Sequence, residues 1–370
     1  MPFSVVTILL YVFAFVSSAL VFYYLYFFAR LAFYKPQNSV SADQSSLSII
    51  VCARNEEKNL EENVPVLLEQ EYEAPHELLV VNDNSEDNTK MIMQWMAREK
   101  EGLKLINMER EAQLNIGKKY PLSIGIRESK YNHLLLTDAD CVPSSNQWAA
   151  KMQSAFKPGI EIVLGYGPYE KQEGWLNRII RFETFHTALQ YLSYALAGLA
   201  YMGVGRNLSY TKELFSKHKG FASINHLPGG DDDLFIKKAA TATNTAIMID
   251  AEAHTISQPK KTWSDWRRQK TRHYSTSKYY KPQHKFLLGL YSLSQFLFYP
   301  LLVAAFVFNW QLALILFIVK SAIQYVVFSN AMKKLNEADL TKWIFVMDFW
   351  MFFYYLFFAN TLWKKEKKTW

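Results

Sequence analysis

The pattern of apolar and polar positions divides the chain into three parts. No charged side chain occurs from Phe3 to Ala29, a run longer than the roughly 20 residues a spanning helix needs. Arg30 and Lys35 follow at once, which predicts that this end faces the cytoplasm. A cleaved signal peptide would have a basic leader and a shorter apolar stretch, so residues 1–34 read as an anchor. At the other end, Lys320 is the only charge from Phe286 to Asn330, and Asp348 the only one from Trp343 to Trp363. The first of these stretches fits a hairpin turning near Asn309-Trp310-Gln311. Pro300 allows another reading, an interfacial segment followed by one span. Residues 286–370 are therefore expected to form a membrane region of two or three segments. Lys333 and Lys334 read as cytoplasmic, and so does the tail Lys364-Lys365-Glu366-Lys367-Lys368. Both hold only if the last segment re-enters or an odd number of spans lies elsewhere.

The middle, about Ser46 to Lys285, alternates short apolar runs with helical patterns. Leu47–Ala53, Leu78–Asn82, Leu105–Asn107, His133–Thr137 and Ile160–Gly165 suit strands buried on both faces. This predicts an α/β fold with a mostly parallel sheet and a ligand site at the strands' C-terminal edge. Ser85 is the expected N-cap of the helix that follows it, with Glu86 and Asp87 in the first turn. From Trp175 to Tyr201, Leu176, Ile179, Phe182, Leu189, Leu192, Leu196 and Leu199 recur at helical spacing. This predicts an amphipathic helix in the membrane interface, with a buried core helix as the alternative.

Polar residues gather where the strands end. Asn82-Asp83-Asn84-Ser85 closes one strand, either as an Asx turn or as a nucleoside-binding edge. Asp138-Ala139-Asp140 closes another. Alternation along an extended chain puts both carboxylates on one side, where they repel unless a hard cation such as Mg2+ or Mn2+ lies between them. Gly229-Gly230 precedes Asp231, Asp232 and Asp233. One acid suffices for a helix cap, so three point to a general base among them. Between Trp263 and His273, Trp263, Trp266 and Lys270 share one helical face, while Gln269 and Arg272 lie three apart on another. Such a helix can rest on anionic lipid or bind phosphate.

Composition narrows the classes. Half of the residues are hydrophobic and 20% are charged, which excludes a disordered chain. The net charge of +7 suits anionic partners. Its basic residues cluster beside apolar segments, which favours lipid headgroups over nucleic acid. With only Cys52 and Cys141, a disulfide scaffold is excluded. Few cysteines also fit a reducing cytoplasm.

Taken in order, these motifs resemble the membrane-integrated family 2 glycosyltransferases of the GT-A fold. Ala53-Arg54-Asn55-Glu56-Glu57 is similar to the family's first strand-end motif. Val81 to Thr89 is similar to its nucleotide-binding turn, and Gly117-Lys118 to its Gly-Lys. Thr137-Asp138-Ala139-Asp140 resembles the Asp-x-Asp metal motif, and Gly205 to Tyr210 the stretch lining the acceptor site. Gly230 to Leu234 resembles the segment bearing the catalytic base. Gln269-Lys270-Thr271-Arg272-His273 resembles the Gln-x-x-Arg-Trp motif. Three positions depart from the pattern: Asn82 stands for an acid, Asp231 for Glu, and His273 for Trp.

The resemblance implies inverting transfer of a hexosyl group from a nucleotide-diphosphate sugar, UDP-linked in the simplest case. Residues 46–170 would hold the nucleotide sugar and metal, and 171–285 the acceptor and the base. Asp138 and Asp140 would bind the metal. The donor would meet Arg54, Asn55, Glu56, Asp83, Lys118, Asp138, Gln269 and Arg272. Gly205, Arg206, Asn207 and His273 would line the acceptor site. Asp232 is the preferred base, with Asp231 and Asp233 as alternatives. The expected acceptor is lipid-linked and the expected location a cell (inner) membrane, multi-pass, with the catalytic domain in the cytoplasm. A processive polysaccharide synthase is the alternative, and a transporter or regulatory protein with a nucleotide-binding domain a further one.

Overall fold

A computed structural model describes residues 4–36, 45–108, 117–227, 229–274 and 276–359. Helix α1 (Val5–Phe22) continues through a π-helical turn, Tyr23–Phe28, into α2 (Ala29–Ala32). The expected runs then become strands β1 (Leu47–Ala53), β2 (His76–Asn82), β3 (Leu103–Asn107) and β4 (His133–Asp138), with helices α3 (Glu57–Leu68), α4 (Thr89–Glu99) and α5 (Lys119–Glu128) between them. There follow β5 (Cys141–Pro143), α6 (Trp148–Ser154), β6 (Ile162–Leu164), α7 (Trp175–Leu196), β7 (Leu208–Thr211), α8 (Lys212–Lys217), α9 (Asp233–Ala239), β8 (Thr245–Ile247), β9 (Thr255–Ser257) and α10 (Trp263–Tyr274). The chain ends in α11 (Pro282–Phe308), α12 (Trp310–Lys334) and α13 (Ile344–Ala359).

The main sheet has the order β3-β2-β1-β4-β7-β6-β8. Strands β3, β2, β1 and β4 are parallel, while β7 runs antiparallel between β4 and β6. β1 is buried along its whole length, as an apolar run covered by helices on both faces should be. The register pairs Ala53 with Asn82, Asn82 with Asn107, and Cys52 with Asp138. Every strand-end motif therefore opens on one edge.

The N-cap expectation at Ser85 is corrected. The helix begins at Thr89 with Asn88 as its cap. The Ser85 hydroxyl is engaged elsewhere, donating to Asn82 at 2.6 Å and accepting from the Asn55 N–H at 2.9 Å.

Among the described residues, four helical stretches are long and apolar enough to cross a membrane: Val5–Ala32, Pro282–Phe308, Trp310–Lys334 and Ala338–Phe358. α11 runs through Pro300 as one helix, so the chain does not break there. Asn309 caps α12, its side chain accepting from the Leu312 N–H at 3.1 Å. The three C-terminal helices share a buried polar knot. Lys320 on α12 lies 2.5 Å from an Asp348 carboxylate oxygen on α13. Gln295 and Gln324 donate to the other oxygen at 2.5 and 2.7 Å, and Tyr299 to the first at 2.6 Å.

The one-sided interface helix expected at Trp175–Tyr201 is also corrected. Every residue of α7 from Ile179 to His186 is buried, more than two turns, so no face is left for a bilayer surface. α7 is a strut between the sheet and the apolar helices. Arg181 pairs with Glu337 and, at 2.7 Å, with Asp339. Glu183 pairs with Lys270 of α10 and accepts from the Tyr354 hydroxyl of α13 at 3.3 Å.

Candidate functional site

Two turns at the sheet edge are laced together before any ligand arrives. Asn55 adopts a left-handed conformation, φ 57°, which asparagine tolerates better than most residues. Its side chain accepts from the Glu86 N–H at 2.8 Å, and the Glu56 N–H donates to the Thr89 hydroxyl at 3.0 Å. Arg54, Asn55, Glu56 and Asp83 thus come from adjacent strand ends. Burial, opposed by a 2.6 Å bond from Asn59 and reinforced by Asp140 and Asp138, raises the Glu56 carboxyl.

The Asp-x-Asp turn follows β4. Ala139 offers its carbonyl to the buried Asn63 amide at 2.8 Å, and the Thr137 hydroxyl donates to the Arg206 carbonyl at 3.0 Å. Ligand atoms of Asp138, Asp140 and Cys141 lie within 4.8 Å of one another. Asp138 forms an ion pair with Lys118. Burial works against its charge, but Lys118, Arg206 and Arg272 outweigh that and hold it below the ordinary range. Asp140 moves the other way, raised by burial and then by Asp138. That opposition is what two converging carboxylates show when only one has a cation partner. Burial, then the two aspartates, pushes the Cys141 thiol up, and its buried sulfur already lies 2.9 Å from the Ser257 hydroxyl, while a soft sulfur suits a hard cation poorly. The donor set is thus two carboxylates, which fits a hard divalent cation.

The three aspartates after Gly230 differ in their duties. Gly230 has φ 99°, and a Cβ there would lie 2.7 Å from Leu234, so the hinge needs glycine. Asp233 is buried, accepting from the Thr276 hydroxyl at 2.5 Å, the Tyr280 hydroxyl at 2.9 Å and the Leu234 N–H at 2.7 Å. It locks α9 to the chain before α11 and offers nothing to a substrate. Asp232 caps α9 and accepts from the Gly205 N–H at 2.9 Å and the Asp233 N–H at 2.7 Å. Burial, then Asp231 and Asp233, raise it to about 8. Asp231 forms none of the hydrogen bonds found among the described residues, and its charge is felt by Lys118 and Cys52. It faces the Asp138 side of the site.

The Gly205 to Asn207 stretch divides. Gly205 donates to Asp232. Arg206 stacks its guanidinium 4.5 Å from the Tyr169 ring centre. Asn207 is corrected as an acceptor residue, because its side chain is enclosed. It donates to the Tyr166 and Ala253 carbonyls at 2.8 Å each and accepts from Trp148 at 3.0 Å. On α10, Gln269 donates to the Tyr169 hydroxyl at 3.0 Å, and Arg272 is exposed, close enough to Asp138 to lower its carboxyl. The His273 side chain and the tail lysines lie outside the described residues. Tyr169, which joins Arg206 to Gln269, has no sequence signature. It sits in an irregular Gly-Pro-Tyr segment and is recognisable only from these contacts.

Beneath this edge His254 is buried edge-on against Tyr166, ring centres 5.1 Å apart. Burial lowers it to about 4. The unfolded chain, near 6.5, therefore takes up a proton that the folded chain refuses. Stability from this site is complete above pH 6.5 and is lost as pH falls toward 4, by roughly 3 kcal/mol. Thermal unfolding at pH 7.5 and 4.5 is expected to show a smaller acid loss in His254→Gln than in the parent. An identical loss would remove His254 as its cause.

Residues 48–218 match the family described as Glycosyl transferase family 2. The chain carries a family 2 glycosyltransferase domain. It is 26% identical over 202 residues to Glycosyltransferase AglE of Haloferax volcanii, covering 53% of this chain and 62% of that one. It is 28% identical over 96 residues to the poly-beta-1,6-N-acetyl-D-glucosamine synthase of Staphylococcus epidermidis, covering 26% and 22% respectively. Both matches span less than two thirds of the relative. Mannosyltransferase PcManGT from Pyrobaculum calidifontis, solved with GDP-Man and Mn2+, superposes with a TM-score of 0.58 at 18% identity, over 94% of this chain and 99% of that one. That likeness is one of fold, and the fold is GT-A. In this glycosyltransferase domain, Arg54, Asn55, Glu56, Asp83, Lys118, Asp138, Asp140, Asp231 and Asp232 share one edge, and α10 brings Gln269 and Arg272 over it.

Proposed function

We propose that the protein is an inverting glycosyltransferase that moves a sugar from a nucleotide-diphosphate sugar to a lipid-linked acceptor at a cell (inner) membrane. The observation that carries this is the convergence of Asp138, Asp140, Lys118 and Asp231 beneath a helix bearing Arg272, on a domain joined to apolar helices. Residues 46–170 hold the donor and 171–285 the acceptor in this reading. Asp138 and Asp140 would hold Mg2+ or Mn2+, which when bound neutralises charge developing on the leaving diphosphate. Asp83 and the Arg54-Asn55-Glu56 turn hold the nucleoside. Lys118 and Arg272 face the phosphates, while Gln269 stays tied to Tyr169.

The acceptor oxygen attacks the anomeric carbon, the bond to the diphosphate oxygen breaks with its electron pair, and the acceptor proton passes to a carboxylate. In this reading Asp231, and not Asp232, is that carboxylate. Each Asp232 oxygen is held by a backbone donor, Oδ2 by Gly205 and Oδ1 by Asp233, which leaves Asp231 the freer carboxylate to turn toward a substrate proton. Arg30 and Lys35 after the first apolar helix, and Lys333 and Lys334 ending α12, support a cytoplasmic domain.

The test incubates membranes containing the protein with radiolabelled nucleotide sugars, with Mn2+ or with a chelator. The expected product is lipid-extractable and vanishes on chelation. Asp140→Asn is expected to weaken metal-dependent donor binding. A precipitable polymer would favour a synthase. Nucleotide binding without transfer would overturn the reading in favour of a transporter or regulatory protein.

A further inference from the structure

The corner between α12 and α13 meets the N-terminal end of α7. Past Lys334 the chain turns at Asn336, φ 58°, and runs through a 3₁₀ segment, Ala338–Trp343, into α13. A cavity of about 280 Å3 lies there, and Lys171, Arg178, Lys342 and Trp343 are in its wall beside the acids Glu173 and Asp339. Arg181, also in the wall, is neutralised by Glu337 and Asp339. Lys171 lies 3.3 Å from the same Asp339. Arg178 and Lys342 form no ion pair among the described residues.

Arg178 has another environment. Its guanidinium lies 5.4 Å from the Trp175 ring centre and 5.0 Å from that of Trp343. The two indoles meet edge-on at 4.8 Å. A guanidinium held by aromatic faces keeps its charge and its edge N–H donors, which match a phosphate fork. Trp175 is 49% exposed and Lys342 is exposed, so the pocket is accessible. Both apolar stretches, Trp310–Lys334 and Ala338–Phe358, end at this corner. That sets it at headgroup depth, where tryptophan and basic residues concentrate, and basic pockets between spans at that depth take anionic heads.

We propose that this corner pocket binds the phosphate of an anionic phospholipid headgroup, with Arg178 and Lys342 as its principal donors. The proposal rests on the membrane-spanning reading. A zwitterionic head also carries phosphate, but its ammonium would sit against the same cations, so a net negative lipid is selected. The pocket shares no residue with the Asp138 edge, so its lipid would bind without nucleotide.

The test uses the full chain purified in detergent, titrated in turn with dioleoylphosphatidylglycerol, dioleoylphosphatidylcholine and inorganic phosphate. Retained lipid is read by native mass spectrometry and stability by thermal unfolding. The expected result is at least tenfold tighter retention of the anionic lipid than of the zwitterionic one, with a raised Tm and no response to phosphate. In Arg178→Gln/Lys342→Gln the preference is expected to disappear while the lipid-free Tm stays unchanged. If that variant starts from a lower Tm, Arg178→Lys/Lys342→Arg, which keeps both charges, is expected to retain the preference. An unchanged preference in the Gln variant overturns the assignment, as does equal retention of both lipids or an equal shift with inorganic phosphate. Release of the protein from membranes by an alkaline wash without detergent would instead sink the membrane reading itself.

Discussion

Asp231→Asn is expected to lower sugar transfer by about 10²–10⁴-fold, the usual worth of a positioned general base. The donor KM and Tm should barely change, because among the described residues Asp231 carries none of the hydrogen bonds that hold the fold together. Its neighbours provide the controls. Asp233→Asn should lower Tm, since the amide replaces an acceptor shared by Thr276 and Tyr280. Asp232→Asn should lie between, because an amide offers one accepting oxygen where two backbone donors, Gly205 and Asp233, now bind. Full activity in Asp231→Asn beside a folded but inactive Asp232→Asn would return the role to Asp232.

The second large effect lies among the apolar helices. Asp348→Leu leaves the Lys320 ammonium buried without its counter-charge. A half-removed buried pair costs about 3–5 kcal/mol, and Gln295, Gln324 and Tyr299 lose their acceptor as well. Lys320→Met/Asp348→Leu removes both charges, and replacing a buried pair by packed apolar groups is often neutral or better. The double variant should therefore be clearly more stable than the single one in a detergent-micelle unfolding series. Equal destabilisation of the two would show that lost packing, and not an orphaned charge, sets the cost.

Much of this architecture was legible because local pattern and tertiary role coincided. The runs at Leu47, Leu78 and His133 are apolar because both faces of the sheet are covered, and a buried strand's polar end is visible from its neighbours in sequence. Three features were hidden for a common reason. β7 is four residues long and earns its place between β4 and β6 by pairing partners that lie far away in the chain. The α7 leucine pattern looks the same whether Arg181 and Glu183 meet water or Glu337 and Lys270. The three aspartates are chemically identical until Thr276, Tyr280 and Gly205 arrive to distinguish them. Asn207 was misread likewise, since its Trp148 partner gives no local sign.

The α7 strut has a consequence for how the molecule can be divided. The matched family region ends at residue 218, and the sheet domain could be mistaken for a detachable head. Cutting the chain ahead of Pro282 would strip Arg181 of both carboxylates and Glu183 of Tyr354. It would also bare Phe185, which rests on Phe328. The severed head would expose a wet, charged and aromatic scar where its keel had been. The smallest piece that keeps the site intact therefore includes the apolar helices packed beneath it.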